Sequence, residues 1–576
     1  MRLSNSLSIL SLLLTSSLAE LLPRTYETHD FFALHLDGSL TPEYVAEVLG
    51  AHHEGQIGSL PGHHKFSISQ DQSSAVDSLL EDLRGRRKLT KRSNLYDKRG
   101  DGLDGVLWSQ KLAIKDRLHK RAPVELVSRA GTPEPAAVDT QKRIASDLAI
   151  KDPEFEKQWH LFNTVQVGHD LNVTALWLEG ITGAGVVTAI VDDGLDMYSN
   201  DLKDNYFAEG SWDFNENHQE PKPLLFDDKH GTRCAGEVAA VRNGVCGVGM
   251  AYDSKVAGIR ILSKPIDDAD EAAAINYGFQ KNDIYSCSWG PRDDGQTMEA
   301  PGILVQRAMV NGIVQGRGGK GSIFVFAAGN GGGSDDNCNF DGYTNSIYSV
   351  TVGAIDRQGN HPSYSEACSA QLVVAYSSGG GDSIHTTDLG TDSCTNGHGG
   401  TSAAGPLAAG AIALALSVRP ELTWRDVQYL LLETSVPIHA DGDEVQITPV
   451  GREFSHQYGY GKVDAYSFVQ KAKNWDLVKP QAWYTTPWLR VEKDVPQGDQ
   501  GLASYFEVTA DMLKAANLEQ IEHVTVTMNV NHTRRGDLSV ELRGPQGIVS
   551  HLSVPRKNDA AQVGYEDWTF MSVAHW

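Results

Sequence analysis

The 576-residue chain is short of positive charge, with 50 Lys and Arg against 74 Asp and Glu and a formal net charge of −24. That balance argues against a basic nucleic-acid-binding protein and leaves no nucleic-acid partner to expect. Long apolar runs are also scarce. Leu7 to Leu14 is too short to cross a bilayer. Ala403 to Val418 is interrupted by Pro406 and Ser417 and reads as a buried helix, so no membrane anchor is expected in this chain. Six cysteines are few for this length, and the sequence leaves their pairing open. No HExxH or EF-hand spacing occurs. The glycine-rich stretch Gly316 to Ser322 contains Lys320 but lacks the Gly-Lys-Ser/Thr of a phosphate loop. Gly183-Ala184-Gly185 precedes a strand, whereas a dinucleotide loop follows one.

What is present is enough to fold. A 40% hydrophobic, 22% charged chain can bury cores, and its length suggests about four domains of roughly 150 residues, or fewer with one large enzyme domain. Residues 1–121 carry 16 basic and 15 acidic side chains, so the whole acidic excess lies in 122–576. Such a surface either solubilises the protein or recruits cationic ligands. Arg2, the apolar stretch after it and Ser17-Leu18-Ala19 read as an export signal over 1–19. The sequons at Asn172 and Asn531 suit glycosylation on that route.

A small α+β unit is expected next. Phe31 to Leu36 and Lys65 to Ser69 look like strands. Thr41 caps a helix to about Leu49, and Ser74 to Leu83 looks like a second helix. Basic groups follow at Arg86-Arg87-Lys88, Lys91-Arg92, Lys98-Arg99 and Lys120-Arg121, read as loop sites open to proteases, then a polar linker to about Leu148. From Asp152 to Lys471 short β-rich runs alternate with helices, which implies a mostly parallel, doubly wound α/β sheet. After Trp475 the pattern turns all-β, with strands at Ile521 to Val530 and Leu538 to Leu542, as in a sandwich.

Three motifs stand at the entrances of that α/β layer. The strand Val186 to Val191 ends in Asp192-Asp193-Gly194, where parallel sheets place ligand crevices. His230-Gly231-Thr232 opens a helix from Cys234 to Val241, and Gly400-Thr401 puts Ser402 at the start of the long apolar helix. Each alone suits a turn, a structural histidine or a cap. Together they suit a nucleophile with its base, and Asn330, after the strand Ile323 to Ala328, offers an amide beside them.

Asp192-Asp193-Gly194, His230-Gly231-Thr232-Arg233-Cys234, Ser288-Trp289-Gly290-Pro291, Asp341-Gly342-Tyr343-Thr344-Asn345-Ser346 and Gly400-Thr401-Ser402-Ala403 resemble the blocks of the subtilase family, and within it the kexin/furin proprotein convertases. The resemblance implies a subtilisin-like fold with a propeptide over 20–121, a catalytic domain over 122–475 and a partial P-domain over 476–576. It implies a calcium-dependent serine endopeptidase of the secretory pathway that cuts precursor proteins after Lys-Arg and Arg-Arg. Asp192, His230 and Ser402 would be the triad and Asn330 the oxyanion donor. Asp293 and Asp341 would receive the arginine before the cut, Asp193, Asp227 and Asp228 the basic residue before that, and Glu271 and Glu299 the fourth. Lys120-Arg121 would be the chain's own maturation site, and its propeptide a partner.

The same resemblance implies Ca²⁺ at Asp152, Asp201 and Asn243 with the carbonyls of Val241, Val245 and Gly247, and again at Asp293, Asp336 and Glu366. A third calcium near Asp213 is doubtful, because His218 and Glu220 replace the expected ligands. Cys246–Cys394 and Cys338–Cys368 would be disulfides, leaving Cys234 and Cys287 free. Gly405 stands where the family has alanine, which predicts a helix that frays near Ser402. The C-terminal domain is shorter than the family's. A catalytically silent convertase-fold binding protein is therefore the alternative, and a general degradative subtilase a further one. A full-length relative would work in the late Golgi lumen, and a chain without an anchor would be secreted.

Overall fold

The computed structural model describes residues 26–93, 103–115, 118–121, 131–438, 444–498 and 500–576. The export segment and Lys98-Arg99 lie outside them. Among the described residues, β1 (His29–Leu36), β2 (His52–Gln56), β3 (His63–Ser69) and β4 (Val106–Leu112) form an antiparallel sheet in the order β2-β3-β1-β4, with α1 (Pro42–Leu49) and α2 (Gln70–Ser93). Thr41 caps α1 by accepting the Tyr44 N–H at 3.2 Å. The period of two along β1 divides its side chains between two cores. Phe32, Leu34 and Leu36 pack with Val45, Leu49 and Leu80 of the helices. Phe31 and Ala33, one residue out of phase, join the main core of the molecule. The sheet is thus covered by its own helices on one face and by the α/β domain on the other.

Three expectations change here. Helix α2 runs on to Ser93, so Arg86-Arg87-Lys88 and Lys91-Arg92 are helical rather than in a loop. Strands β2 and β4 were not foreseen. His52-His53-Glu54-Gly55-Gln56 has no β-propensity and pairs because β3 offers it an edge. The expected polar linker contains α3 (Pro135–Asp147), whose buried Ala137, Gln141 and Ile144 make an i, i+4, i+7 stripe, with Pro135 in the first turn.

After β5 (His119–Lys120) and α4 (Thr174–Leu178) comes the main sheet: β6 (Val187–Asp192), β7 (Trp212–Asp213), β8 (Lys255–Arg260), β9 (Ile284–Cys287), β11 (Ile323–Ala327), β12 (Ser349–Ile355) and β13 (Val373–Tyr376). The order is β13-β12-β11-β9-β6-β8-β7, and every pair is parallel. Strands β6, β9, β11, β12 and β13 are buried along their whole length, as parallel strands covered on both faces must be. From β6 the chain runs out to β7 at the sheet edge, returns to β8 between β7 and β6, then crosses to β9 on the other side of β6. That switch point, at the carboxyl ends of β6 and β9, is where the crevice opens.

Helices α5 (His230–Ala239), α6 (Asp268–Ile275), α7 (Ile303–Gly319, broken at Gly316), α8 (Thr401–Val418), α9 (Trp424–Thr434) and α10 (Ala465–Ala472) cover the sheet. Shorter strands, β10 (Trp289–Gly290), β14 (Ile384–Thr387), β15 (Cys394–His398), β16 (Gln446–Ile447) and β17 (Glu453–Phe454), form its margins. Disulfides join Cys246 to Cys394 and Cys338 to Cys368, and Cys234 and Cys287 are free and buried.

Helix α8 does not fray. Every side chain from Thr401 to Leu416 is buried, so packing holds it where propensity would not. A Cβ on Gly405 would meet only ordinary contacts, Ala327 N at 3.7 Å and Ser288 Oγ at 3.8 Å. Gly405→Ala is therefore expected to stabilise the protein by about 1 kcal/mol, measured as a raised denaturant midpoint.

The C-terminal region has α11 (Ala510–Ala515), β18 (Val524–Val530), β19 (Val540–Arg543), β20 (Val549–Ser553) and β21 (Tyr565–Ser572). The consecutive strands β18 and β19 do not pair with each other. β18 pairs with β21 and β19 with β20. Their small core, Leu538, Leu552, Tyr565, Trp568 and Phe570, closes over Phe340 of the α/β domain.

Candidate active site

Asp192 is the last residue of β6 and His230 the first of α5. The helix starts at His230 rather than at Cys234 because Asp193 caps it, accepting the N–H groups of His230 at 3.1 Å and Gly231 at 2.8 Å. The Asp192 carboxylate lies 2.9 and 3.0 Å from His230 Nδ1. Nδ1 therefore carries the proton, and Nε2, buried and without a hydrogen bond, is the free base. Burial alone would lower the His230 pKa. The charge of Asp192 and its hydrogen bond outweigh that, and the imidazole stands above its ordinary value.

Ser402 sits in the first turn of α8, with its Oγ 2.5 Å from the carbonyl oxygen of Arg121. Pro406, four residues on, has no N–H for the Ser402 carbonyl. That carbonyl instead takes Ser288 Oγ at 3.1 Å and Cys234 Sγ at 3.7 Å, which ties the serine to the strand end at Ser288 and to α5. Ser288 was not foreseen in this role, although a proline four residues after the serine signals a carbonyl needing a donor. Asn330 accepts Thr401 N–H at 2.9 Å and Thr401 Oγ1 at 3.0 Å through its Oδ1. That fixes its amide, with Nδ2 toward the crevice. Gly400 has φ +74°, and a Cβ there would lie 2.6 Å from Asn330 Nδ2 and 3.0 Å from the Arg121 carbonyl, so both groups need its absence.

The chain's own Lys120-Arg121 fills the crevice. Segment β5 pairs antiparallel with β10, and Arg121 N–H donates to Ser288 O at 3.3 Å. The Arg121 guanidinium is buried. Its Nη2 donates to Asp341, while Asp293 Oδ1 stands 3.7 Å from Nε. Asp293 is held back because its other oxygen accepts Asn330 N–H at 2.8 Å. Gly290 lines the same pocket, and a Cβ there would collide with the guanidinium. Burial pushes the Asp341 carboxyl up to about 6 although Arg121 opposes the shift.

Lys120 Nζ lies 2.6 Å from Asp193 and 2.9 Å from the Asp227 carbonyl; the Asp227 and Asp228 carboxylates stand at 3.7 Å. Burial, then the neighbouring charge of Asp192, raises the Asp193 carboxyl. Asp228 goes the other way. Burial raises it, but the Leu224 and Leu225 N–H groups, Ser263 and Arg260 together hold it low. Arg260 is a buried counter-ion the sequence did not mark. It also pairs with Asp213 at 2.8 Å, so an arginine sits where the doubtful third calcium would have its ligand.

The fourth residue before Ala122 is Leu118, which is buried in the main core. The Glu271 carboxyl takes Tyr343 Oη and stands 3.4 Å from Lys115. Glu299 bridges by its backbone to Asp341. Asn172 and Asn531 are both exposed, and Asn172 Nδ2 donates to Asp464 at 3.1 and 3.2 Å.

Two clusters suit a hard cation. Asp201 Oδ1 is buried without a hydrogen-bond partner, and burial with the nearby Asp152 charge pushes its carboxyl up to about 8. Asp152 holds the Asn243 N–H at 3.0 Å, and the Cys246–Cys394 disulfide pins the loop of Val241, Asn243, Val245 and Gly247. At the second cluster a Cβ on Gly331 would crowd Asp336, Glu366 and Asp293 together. Burial and the two neighbouring aspartates drive the Glu366 carboxyl well up. Oxygen donors with surplus negative charge are what Ca²⁺ takes; in the second cluster Arg556, 3.1 Å from Asp336, offsets part of that charge.

The subtilase family model matches residues 183–461, and a proprotein convertase P-domain model matches 521–576. Kexin of Candida albicans is 48% identical over 96% of this chain and 62% of its own length. A dibasic-processing endoprotease of Schizosaccharomyces pombe is 45% identical over 96% of this chain and 74% of its own. The chain thus spans less than two thirds of the length of some of these relatives. Among solved structures, the serine protease of Aeromonas sobria matches with a TM-score of 0.63 at 23% identity, over 74% of this chain and 86% of that one, a likeness of fold. The chain belongs to the subtilase family and, within it, to the proprotein convertases of the kexin type.

Proposed function

We propose that this chain is a calcium-dependent serine endopeptidase that cleaves precursor proteins after paired basic residues, Lys-Arg first among them. The observation that carries this reading is the seating of Lys120-Arg121, each cation against its own carboxylates and the Arg121 carbonyl at Ser402 Oγ. Ser402 attacks the carbonyl carbon while His230 Nε2 takes its proton, and Asp192 stabilises the imidazolium. Asn330 Nδ2 and the Ser402 N–H hold the oxyanion. His230 then returns the proton to the leaving amine, and water releases the acyl group by the same steps.

The precursor strand adds to β10 and is read by main-chain hydrogen bonds plus pockets. The partners are precursors with dibasic sites, and the chain's own residues 20–121 are the first of them, as a propeptide. The compartment is the secretory pathway.

The test is turnover of four peptides that differ only before the cut: Lys-Arg, Ala-Arg, Lys-Ala and Ala-Ala. Lys-Arg is expected to exceed each single replacement by at least tenfold. Equal rates would make the protein a general subtilase, and no turnover with retained binding would make it a binding protein.

Calcium would be held by Asp152, Asp201 and Asn243 at one site and by Asp293, Asp336 and Glu366 at the other, where it supplies positive charge that neutralises buried carboxylates. Chelation is expected to lower the melting temperature by several degrees at neutral pH, and an unchanged melt would remove calcium from the account.

The propeptide contact carries a pH dependence. His63 is buried between the two regions, stacked on His35 with ring centroids 4.0 Å apart. Its Nδ1 lies 2.8 Å from Pro61 O, and Arg307 Nη1 of α7 lies 2.9 Å from its Nε2. Burial, with the Pro61 carbonyl opposing it, lowers its pKa to about 4. The released segment binds the proton near 6.5, so acid favours release. Between pH 7 and pH 5.5 the affinity for the cleaved segment is expected to fall about tenfold from this group. His63→Leu should flatten that slope in a binding titration, and an unchanged slope would clear His63.

A further inference from the structure

The pocket for Arg121 is built from two loops. Asp293 stands in the loop after β10 and Asp341 in the loop between β11 and β12. The loops meet where Gly295 N–H donates to Asp336 Oδ2 at 2.9 Å and Glu299 N–H to Phe340 O at 3.2 Å. A further link comes from the C-terminal domain. The buried Arg556 guanidinium donates through Nη1 to Thr297 O at 2.8 Å and through Nη2 to Gln296 O at 3.3 Å, both in the first loop. In the second loop Nη1 also donates to Asp336 Oδ1 at 3.1 Å, and the guanidinium covers the ring of Phe340, the neighbour of Asp341, 3.6 Å from its centroid. Asp559 accepts from Nη2 and so orients the group. Arg535 differs. Among the described residues its side-chain hydrogen bonds go to Gln296 O at 2.6 Å and to Asp559, so it holds the first loop alone.

A guanidinium is a rigid plane that needs its carboxylates at a set spacing, whereas an ammonium is a point charge on a flexible stem. The seated arginine shows that requirement: Arg121 Nη2 donates to Asp341 while Asp293 stands 3.7 Å from Nε. A shift of either loop therefore costs a bound arginine more than a bound lysine. We propose that Arg556 is a positioning residue for this pocket. By bridging the two loops it fixes the spacing of Asp293 and Asp341, and through it the C-terminal domain sets the preference for arginine over lysine before the cut. The ligand's identity rests on the proteolytic reading above; the bridge rests on the Arg556 contacts themselves.

The experiment compares the purified parent with Arg556→Lys, Asp559→Asn and Arg535→Lys, each at a calcium concentration that saturates its melting temperature. Two peptides differ only in the residue before the cut, Lys-Arg and Lys-Lys, and the ratio of their kcat/KM is measured. Arg556→Lys keeps the charge beside Asp336 but loses the fork that spans both loops. Its ratio is expected to fall about tenfold, with the loss in the arginine peptide. Asp559→Asn, a milder change that keeps both arginines, should move the ratio the same way by less. Arg535→Lys disturbs the same domain contact without the bridge and should leave the ratio at the parent value. The same peptides with a reduced, uncleavable bond after the basic pair are titrated by fluorescence anisotropy. An unchanged ratio in Arg556→Lys and Asp559→Asn, or an equal fall in Arg535→Lys, would overturn the bridge. No turnover in any of the proteins, with the binding preference for arginine still reduced in Arg556→Lys, would overturn the proteolytic reading and support the bridge.

Discussion

Asp341→Asn is expected to lower kcat/KM for Lys-Arg substrates by about 10²- to 10³-fold, because removing one partner of a buried ion pair costs roughly 3–5 kcal/mol. Asp341 matters more than Asp293 here. Its carboxylate accepts a hydrogen bond from the buried guanidinium, while Asp293 pairs with it from 3.7 Å and spends an oxygen on the Asn330 N–H. A neutral citrulline in place of the arginine should separate charge from shape. The parent should discriminate strongly against it and the variant weakly.

The pH profile gives an independent reading. With arginine in place the Asp341 carboxyl titrates at about 6. In the empty pocket the arginine no longer opposes the burial, so the carboxyl stands higher still. Arginine binding therefore expels a proton, and kcat/KM rises with pH through that range and levels above it. The asparagine variant should lose the Asp341 part of this limb and keep the part set by His230, which must be neutral to act as base and stands above its ordinary value. A parent-like limb in the variant would assign the titration to another group, such as Asp193.

Asn330→Ala is expected to lower kcat by about 10²- to 10³-fold with little change in KM. Thr401 binds Oδ1 through both its N–H and its hydroxyl, so the amide cannot flip and its donor is aimed before substrate arrives. That preorganisation acts on the tetrahedral intermediate rather than on the bound peptide, which is why KM should hold. Stopped-flow turnover with the Lys-Arg peptide separates the two constants, and a rise in KM with kcat intact would make Asn330 a binding residue instead.

Much of this site is legible in the sequence, because its chemistry depends on residue types in short blocks. A carboxylate ending an apolar strand, a histidine opening a helix and a serine at a glycine turn each mark a position in an α/β layer. What escaped was the wiring between blocks. Asp193 was read as a substrate ligand, yet it also caps the histidine helix, and a carboxylate in a loop shows neither task. Arg260 ends a strand and looks like surface charge until Asp213 and Asp228 close around it. Arg556 and Arg535 reach the α/β domain from more than 200 residues away, a contact no local pattern encodes.

The fold divides the same way. Helix α1 was legible because Thr41 and Pro42 write its start, and the parallel strands because they are short continuous apolar runs. Strand β2 has neither propensity nor alternation, and β18 pairs with β21 across a long stretch of chain, Val524 opposite Ser572, 48 residues on. Helix α3 hid behind polar residues because only one narrow stripe of it is buried.

The central claim is that this chain cuts after Lys-Arg at the crevice its own Lys120-Arg121 fills. Intact-mass and N-terminal sequence analysis of the protein expressed through a secretory route with calcium present tests it directly, beside Ser402→Ala made the same way. The account predicts a parent whose mature chain begins at Ala122 and a Ser402→Ala chain still joined through Arg121. A parent left uncut at Arg121, or the same cut made equally well in Ser402→Ala by the purified protein alone, would contradict it.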